Sequence, residues 1–125
     1  MKQDIAKVWV EELRSGKYKQ GGDFLCKDDH YCCLGVLCEI YNREIIPTDF
    51  KAVKHSVDKD ADIVYYGHSS DVLPSDVIEW AGMNSHIGSY IPNDTVWQTS
   101  LSELNDGGHS FNELADIIEA EYEQL

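Results

Sequence analysis

The sequence predicts an α+β fold, a single compact domain over residues 1–125 with about four to five helices and a small antiparallel sheet. Apolar residues recur at the spacing of a helix face in several segments, most clearly at both ends of the chain. Between residues 24 and 33, two short apolar runs flank a turn-like segment, which is typical of a hairpin. The length is sufficient for one core that buries roughly two-thirds of the unfolded chain's surface.

The first part of the chain is predicted to hold two helices separated by a hairpin. Asp4 is a suitable N-cap for the first helix, and Gly16 supplies its stop. The hairpin has predicted strands at 24–26 and 31–33. From Cys33 the spacing becomes helical again, which predicts a buried second helix.

The remaining elements are predicted mainly from turn and capping residues. Possible strands occupy 51–57 and 63–66. A proline near its start and a glycine just past its end delimit a short helix over 74–82. Ser100 and Ser110 are each followed three residues later by a glutamate, so two capping boxes are predicted to begin the last two helices.

The net negative charge of the chain comes from residues 60–125, the acidic half. Residues 1–59 carry all ten Lys and Arg together with ten acids, whereas residues 60–125 carry thirteen acids and neither Lys nor Arg. Nucleic-acid affinity depends on cations that displace counterions, so direct DNA or RNA binding is disfavoured. This holds also for the helix–turn–helix-like segment 101–118. An acidic surface of this kind either confers solubility or attracts a basic surface of another protein.

Four cysteines, Cys26, Cys32, Cys33 and Cys38, lie within thirteen residues and among apolar neighbours. No pair has the two-residue spacing of a zinc knuckle, and adjacent cysteines on a strand point to opposite faces. We therefore predict reduced, buried thiols, with no metal site and no cofactor.

A second possibility gives Cys33 a catalytic role. A cysteine at the start of a helix has its thiolate stabilised by the helix N-terminus, and a downstream histidine can act as its base. Cys33, His86 and Gln98 follow the order of nucleophile, base and orienting residue, which resembles papain-like cell-wall peptidases. However, Leu34 stands where those enzymes have a small residue. A divergent papain-like cysteine hydrolase is therefore the alternative to a role without catalysis.

The locally basic, glycine-rich stretch over residues 14–22 predicts a binding site for a phosphate or a nucleotide. It lacks the spacing of a Walker or dinucleotide-binding loop. The candidate ligand-binding residues, including two from a later turn, are Arg14, Ser15, Lys17, Tyr18, Gln20, Asn105 and Asp106. The alternative is a solvated helix end whose cations interact with the helix dipole.

Four segments, in order, carry a family resemblance. They are Trp9–Gln20, Tyr31–Cys38, Leu73–Gly82 and Leu101–Ile118. On these segments the chain resembles a family of small uncharacterised proteins encoded by bacteriophages and prophages. The resemblance implies no established activity, but phage accessory proteins of this size and acidity often counter host defences.

We therefore expect a phage accessory protein that is not an enzyme and that inhibits a bacterial defence component by binding in the host cytoplasm. One possible partner is a host protein with a basic surface, which the acidic half would occupy in place of nucleic acid. The other is a nucleotide-like small molecule that the protein would sequester. A housekeeping role for the phage is a third possibility. The sequence has neither an apolar signal at its N-terminus nor a run of about 20 apolar residues, so we expect no membrane association.

Overall fold

The two ends of the chain meet, because helix α1 (Gln3–Arg14) packs against helix α5 (Phe111–Glu121). The computed structural model describes residues 1–44, 52–58 and 61–125. The N-terminal ammonium of Met1 donates to Tyr122 O at 3.1 Å, which joins the two termini further. Buried side chains from all five described helices form one core, so the predicted α+β class is confirmed.

Helix α1 begins differently from the prediction and ends as predicted. Lys2 occupies the N-cap position without a side-chain hydrogen bond, so the prediction that Asp4 caps the helix is wrong. Asp4 lies in the first turn instead, where its charge favours the helix dipole. Gly16 follows the C-cap residue Ser15 with φ +77°, a conformation that favours glycine, which confirms it as the stop.

Helix α2 (Cys33–Glu44) is the most buried helix, and it lies close to the hairpin backbone. A Cβ at Gly35 would lie 1.9 Å from Leu25 O, so only glycine permits this approach. Trp9 is fully buried and donates its indole N–H to Cys33 O at 2.9 Å, which ties α1 to the start of α2. The helix is therefore fixed on two sides.

The main sheet has five strands in the order β1-β3-β2-β5-β4. The strands are β1 (Lys19–Gln20), β2 (Cys26–Lys27), β3 (His30–Tyr31), β4 (Ala52–Asp58) and β5 (Ala61–Tyr66). The predicted hairpin is confirmed, with a tighter turn in which Asp28 and Asp29 have φ +52° and +62°. The sheet is mixed rather than purely antiparallel, because β1 pairs with β3 in parallel. Lys51, the predicted start of one strand, lies outside the described residues.

The C-terminal half adds two short helices and a small second sheet. These are α3 (Ser75–Ala81), β6 (Ser89–Tyr90), β7 (Thr99–Ser100) and α4 (Leu101–Asp106). Helix α3 lies within the predicted 74–82 span, and its C-cap Gly82 has φ +69°. Ser110 and Glu113 form the complete predicted capping box of α5. The capping box predicted for α4 is only half formed: Ser100 accepts from Glu103 N, but the Glu103 carboxylate accepts a hydrogen bond from the Thr99 hydroxyl.

Candidate interaction surfaces

Arg14, the central cation of the predicted anion site, is paired with carboxylates of α5. Its guanidinium lies 2.5 Å from Asp116 Oδ1 and 2.8 Å from Glu119 Oε2. These hydrogen bonds, first the one to Asp116 and then the one to Glu119, raise the pKa of Arg14 above its ordinary value. An incoming phosphate would have to compete with both carboxylates for this guanidinium.

Lys17, a second cation of this stretch, interacts with the buried Glu12, which Arg43 of α2 also contacts. Glu12 accepts from Arg43 Nη1 at 2.6 Å, and Lys17 Nζ lies 3.5 Å from its other carboxylate oxygen. Ser15 donates its hydroxyl to Glu12 O at 2.6 Å and accepts from Lys17 N, so it completes the end of α1. Tyr18 is half-buried and packs edge-on against Tyr31. These five contacts are internal to the fold and favour the interpretation of a helix end.

Three of the predicted ligand residues, Gln20, Asn105 and Asp106, do lie together. Asn105 is 5% exposed, donates to Gly21 O at 2.8 Å, and accepts both from Gln20 Nε2 at 3.0 Å and from Cys33 N at 3.2 Å. Gln20 also accepts from Phe111 N at 3.1 Å. We call the hydrogen bonds of Gln20 and Asn105 the Asn105 network.

The Asn105 network supplies hydrogen-bond acceptors to the N-termini of two helices from residues that are distant in sequence. Cys33 and Phe111 are the first residues of α2 and α5, where backbone N–H groups lack partners within the helix. Asn105 accepts from the first of these N–H groups and Gln20 from the second, so each acts as a tertiary cap. Asp106 extends the contact by accepting from Asp23 N at 2.9 Å. This polar cluster therefore joins segments that are distant in sequence.

The cysteines are buried in this part of the core. All four lie in the described part of the chain, where they form no disulfide. Burial raises the pKa of Cys32 to about 11 and raises that of Cys33 well above its ordinary value. The Cys33 thiol lies 3.8 Å from Leu101 O, to which it donates. Cys33 does begin a helix, but desolvation outweighs the stabilisation of its thiolate by the helix N-terminus.

His86 and Gln98, the base and the orienting residue of the hydrolase hypothesis, do not lie where that hypothesis requires them. His86 Nδ1 lies 2.9 Å from Leu73 O, and His86 precedes β6 instead of opening it. The β6–β7 register pairs Tyr90 with Thr99, so its continuation places Gln98 opposite Ile91 rather than opposite His86. Together with the buried Cys33 thiol, this geometry argues against the hydrolase hypothesis.

His86 instead lines an open groove together with His68 and Asp76. The groove has a volume of about 440 Å³ and runs between the end of the main sheet and the start of α3. Across the described residues, no group of three or more His, Cys, Asp or Glu is placed to hold a metal ion. The groove therefore offers hydrogen-bonding groups without a metal-binding geometry.

The acidic half presents its carboxylates at the surface. Of the twelve acids in residues 62–125, all except Glu121 are exposed. Asp116 and Glu119 are the two that pair with Arg14. The Glu113 carboxylate accepts from Ser110 N, which lowers the pKa of Glu113 and keeps this residue charged. The charge split of the sequence therefore becomes a property of the folded surface.

The structure also reveals an apolar feature that the sequence patterns do not indicate. The segment of residues 91–98, here called the hairpin loop, connects β6 to β7. Three of its large apolar side chains are exposed, Ile91 by 46%, Val96 by 83% and Trp97 by 78%. The sequence feature that could have indicated this loop is the pair of large apolar residues directly after the turn-forming run 92–95, since the pair belongs to no helical or strand periodicity.

A family model described as "Domain of unknown function (DUF8296)" matches residues 1–122. The chain belongs to this family. The DUF8296 match thus includes both the Asn105 network and the hairpin loop. No curated protein and no solved structure matches the chain. Within the parts of the chain that the structure describes, no helix is long and apolar enough to cross a membrane.

Proposed function

We propose that this protein is a phage-encoded accessory protein whose acidic half binds a basic surface of a bacterial defence component in place of nucleic acid. The observation that carries this proposal is the exposure of eleven of the twelve acids in residues 62–125, a region without Lys or Arg. A field of one sign accelerates association with a surface of opposite sign. The phage context rests on the family resemblance of the sequence segments.

The contacts of the basic stretch favour this function over the sequestration of a nucleotide. Arg14 already binds two carboxylates, and the polar groups of Gln20 and Asn105 bond to backbone and to each other. A phosphate would have to break these contacts before it could bind. A basic protein surface, in contrast, meets acids that are already in water, and it can approach them without rearranging the fold.

The test is capture from a bacterial lysate under controlled salt. The immobilised protein should retain a basic, nucleic-acid-binding protein at about 0.1 M NaCl and release it by about 0.5 M, since screening weakens contacts between exposed charges. Duplex DNA should displace the same protein. A partner that remains bound in 0.5 M NaCl, or that duplex DNA does not displace, would contradict the proposal.

A pair of matched double variants assigns the effect to the acidic half. Glu79→Gln with Asp94→Asn removes two exposed acids from this half and should weaken retention. Asp4→Asn with Glu11→Gln removes the same charge from α1, where both acids lie within a turn of Lys7, and should leave retention nearly unchanged. Equal effects of the two pairs would argue against a localised acidic interface.

A further inference from the structure

The exposed large hydrophobic side chains of the described part of the chain all lie in the hairpin loop. Val96 and Trp97 are adjacent and 83% and 78% exposed, and Ile91 at the base of the loop is 46% exposed. Isolated exposed apolar residues are common on protein surfaces, but adjacent large ones are characteristic of interaction sites. Tryptophan is also the residue most enriched among those that dominate binding energy.

Internal hydrogen bonds hold the hairpin loop in shape. Thr95 N donates to Pro92 O at 3.1 Å, which closes a turn, and Trp97 N donates to Thr95 Oγ1 at 2.9 Å. Gln124 contacts both backbone polar groups of Ile91, accepting from its N–H at 3.1 Å and donating to its carbonyl at 3.0 Å. A loop that is ordered before binding loses little conformational entropy when a partner arrives.

Three carboxylates lie in or next to the hairpin loop. Asp94 lies within the loop, Glu103 accepts from the Thr99 hydroxyl at 3.4 Å, and Glu121 accepts from Gln124 Nε2 at 2.7 Å. Residues 60–125 contribute no Lys or Arg to balance them. The loop is thus an apolar centre with an acidic rim, a surface that is complementary to an apolar pocket with a basic rim.

We infer that the hairpin loop is the anchor of the interface, with Trp97 and Val96 inserting into an apolar pocket on the basic partner protein. This inference rests on the proposed function and names the residues that give it affinity. The acidic rim aligns the two surfaces, and Trp97 supplies the buried contact at their centre. A second copy of this chain is disfavoured as occupant, because its net charge of −13 repels the same rim.

The probe is a library of random 12-residue peptides displayed on filamentous phage and selected on the immobilised full-length protein. Enriched peptides should carry Lys or Arg on both sides of an aromatic or aliphatic residue. Trp97→Ala should weaken their binding about 30-fold in fluorescence polarisation, the loss expected of a dominant contact residue. Asn93→Ala, an exposed polar residue of the same loop, should change it less than about twofold.

The possible results separate this inference from the proposed function. Basic peptides that bind the wild type and Trp97→Ala equally well would overturn the anchor and still support an acidic binding surface. Trp97-dependent peptides without Lys or Arg would overturn the basic partner, and a library that yields no Trp97-dependent binder would overturn the inference altogether.

Two further measurements test whether the hairpin loop binds a second copy of the chain or a lipid surface instead. Dimerisation in sedimentation that Trp97→Ala abolishes would assign the loop to a second copy of the chain. A blue shift of tryptophan fluorescence on zwitterionic phosphatidylcholine vesicles that Trp97→Ala abolishes would assign the loop to a lipid surface. Either result would overturn the inference. A monomer whose fluorescence is unchanged by vesicles supports it.

Discussion

Asn105 and the hairpin loop both lie in the acidic half, residues 60–125, but their side chains have opposite surroundings in the fold. Asn105 is 5% exposed, and its amide oxygen and nitrogen both bond to groups of distant segments. Trp97 is 78% exposed although it is among the most apolar side chains of the chain. The comparison indicates that the network holds the fold together, whereas the loop leaves large apolar side chains exposed.

The largest expected effect is on the reactivity of the thiols. Their reactivity tests whether the core beside the Asn105 network is closed to solvent. In the native protein, iodoacetamide near neutral pH should modify Cys33 and Cys38 at least about a hundredfold more slowly than in the urea-unfolded chain, since burial raises the pKa of both thiols. Tandem mass spectrometry of a digest, taken at successive times, measures the rate at each cysteine. Rapid modification of native Cys33 would contradict a closed core and revive the hydrolase hypothesis.

Gly35→Ala tests how tightly the same core is packed. The new Cβ would lie 1.9 Å from Leu25 O, so helix α2 and the β2–β3 hairpin would have to separate. The free energy of unfolding should therefore fall by more than about 3 kcal/mol. Urea unfolding measures the change.

The matched control is Gly16→Ala. It has no atom within 4 Å of the added Cβ, and only its φ of +77° opposes the substitution, so the cost should be about 1 kcal/mol. Comparable losses for the two variants would show that backbone conformation, rather than the close approach at Gly35, determines the effect.

Asn105→Ala compares the network with the loop directly. It would leave Cys33 N and Gly21 O without their partner and should lower the free energy of unfolding by about 2–4 kcal/mol. Asn93→Ala in the exposed loop should change it by less than about 0.5 kcal/mol. Equal destabilisation by the two variants, measured by thermal unfolding, would remove the distinction between a structural network and a loop available for binding.

Arg14→Ala should have the smallest effect on stability, because its contacts with Asp116 and Glu119 lie at the surface. We expect a slightly lower urea midpoint at low salt and a smaller difference at high salt. Lys7→Ala, on the same helix, is the control. A bound nucleotide that native mass spectrometry detects in the wild type and not in Arg14→Ala would instead support the sequestration hypothesis.

Much of the fold follows from local sequence signals. The stop at Gly16, the hairpin around Asp28 and the cap at Ser110 depend on residues within about four positions of one another, so the sequence predicts them correctly. The prediction for Asp4 is wrong because the chain leaves Lys2 bonded to Ala81 O, and this long-range contact sets the start of α1. A local capping preference cannot anticipate such a contact.

The roles of the candidate site residues required the tertiary structure. The sequence grouped Gln20 with Arg14 and added Asn105 as a possible ligand contact, but it could not show that Gln20 and Asn105, 85 residues apart, bond to each other and cap two helices. Nor could it show that Arg14 faces acids 102 and 105 residues away. Which polar groups meet depends on how the helices pack, and that information is not contained in local spacing.

By itself the sequence determined the α+β class, the helix periods and the separation of charge, since periodicity, capping and composition are local or additive properties. The tertiary structure decided which of the polar residues are used internally and which side chains remain exposed. Exposure depends on what packs above each residue: the core covers Cys33 completely, and nothing in the described fold covers Trp97 to the same extent. The hairpin loop was therefore recognised only once the fold was known.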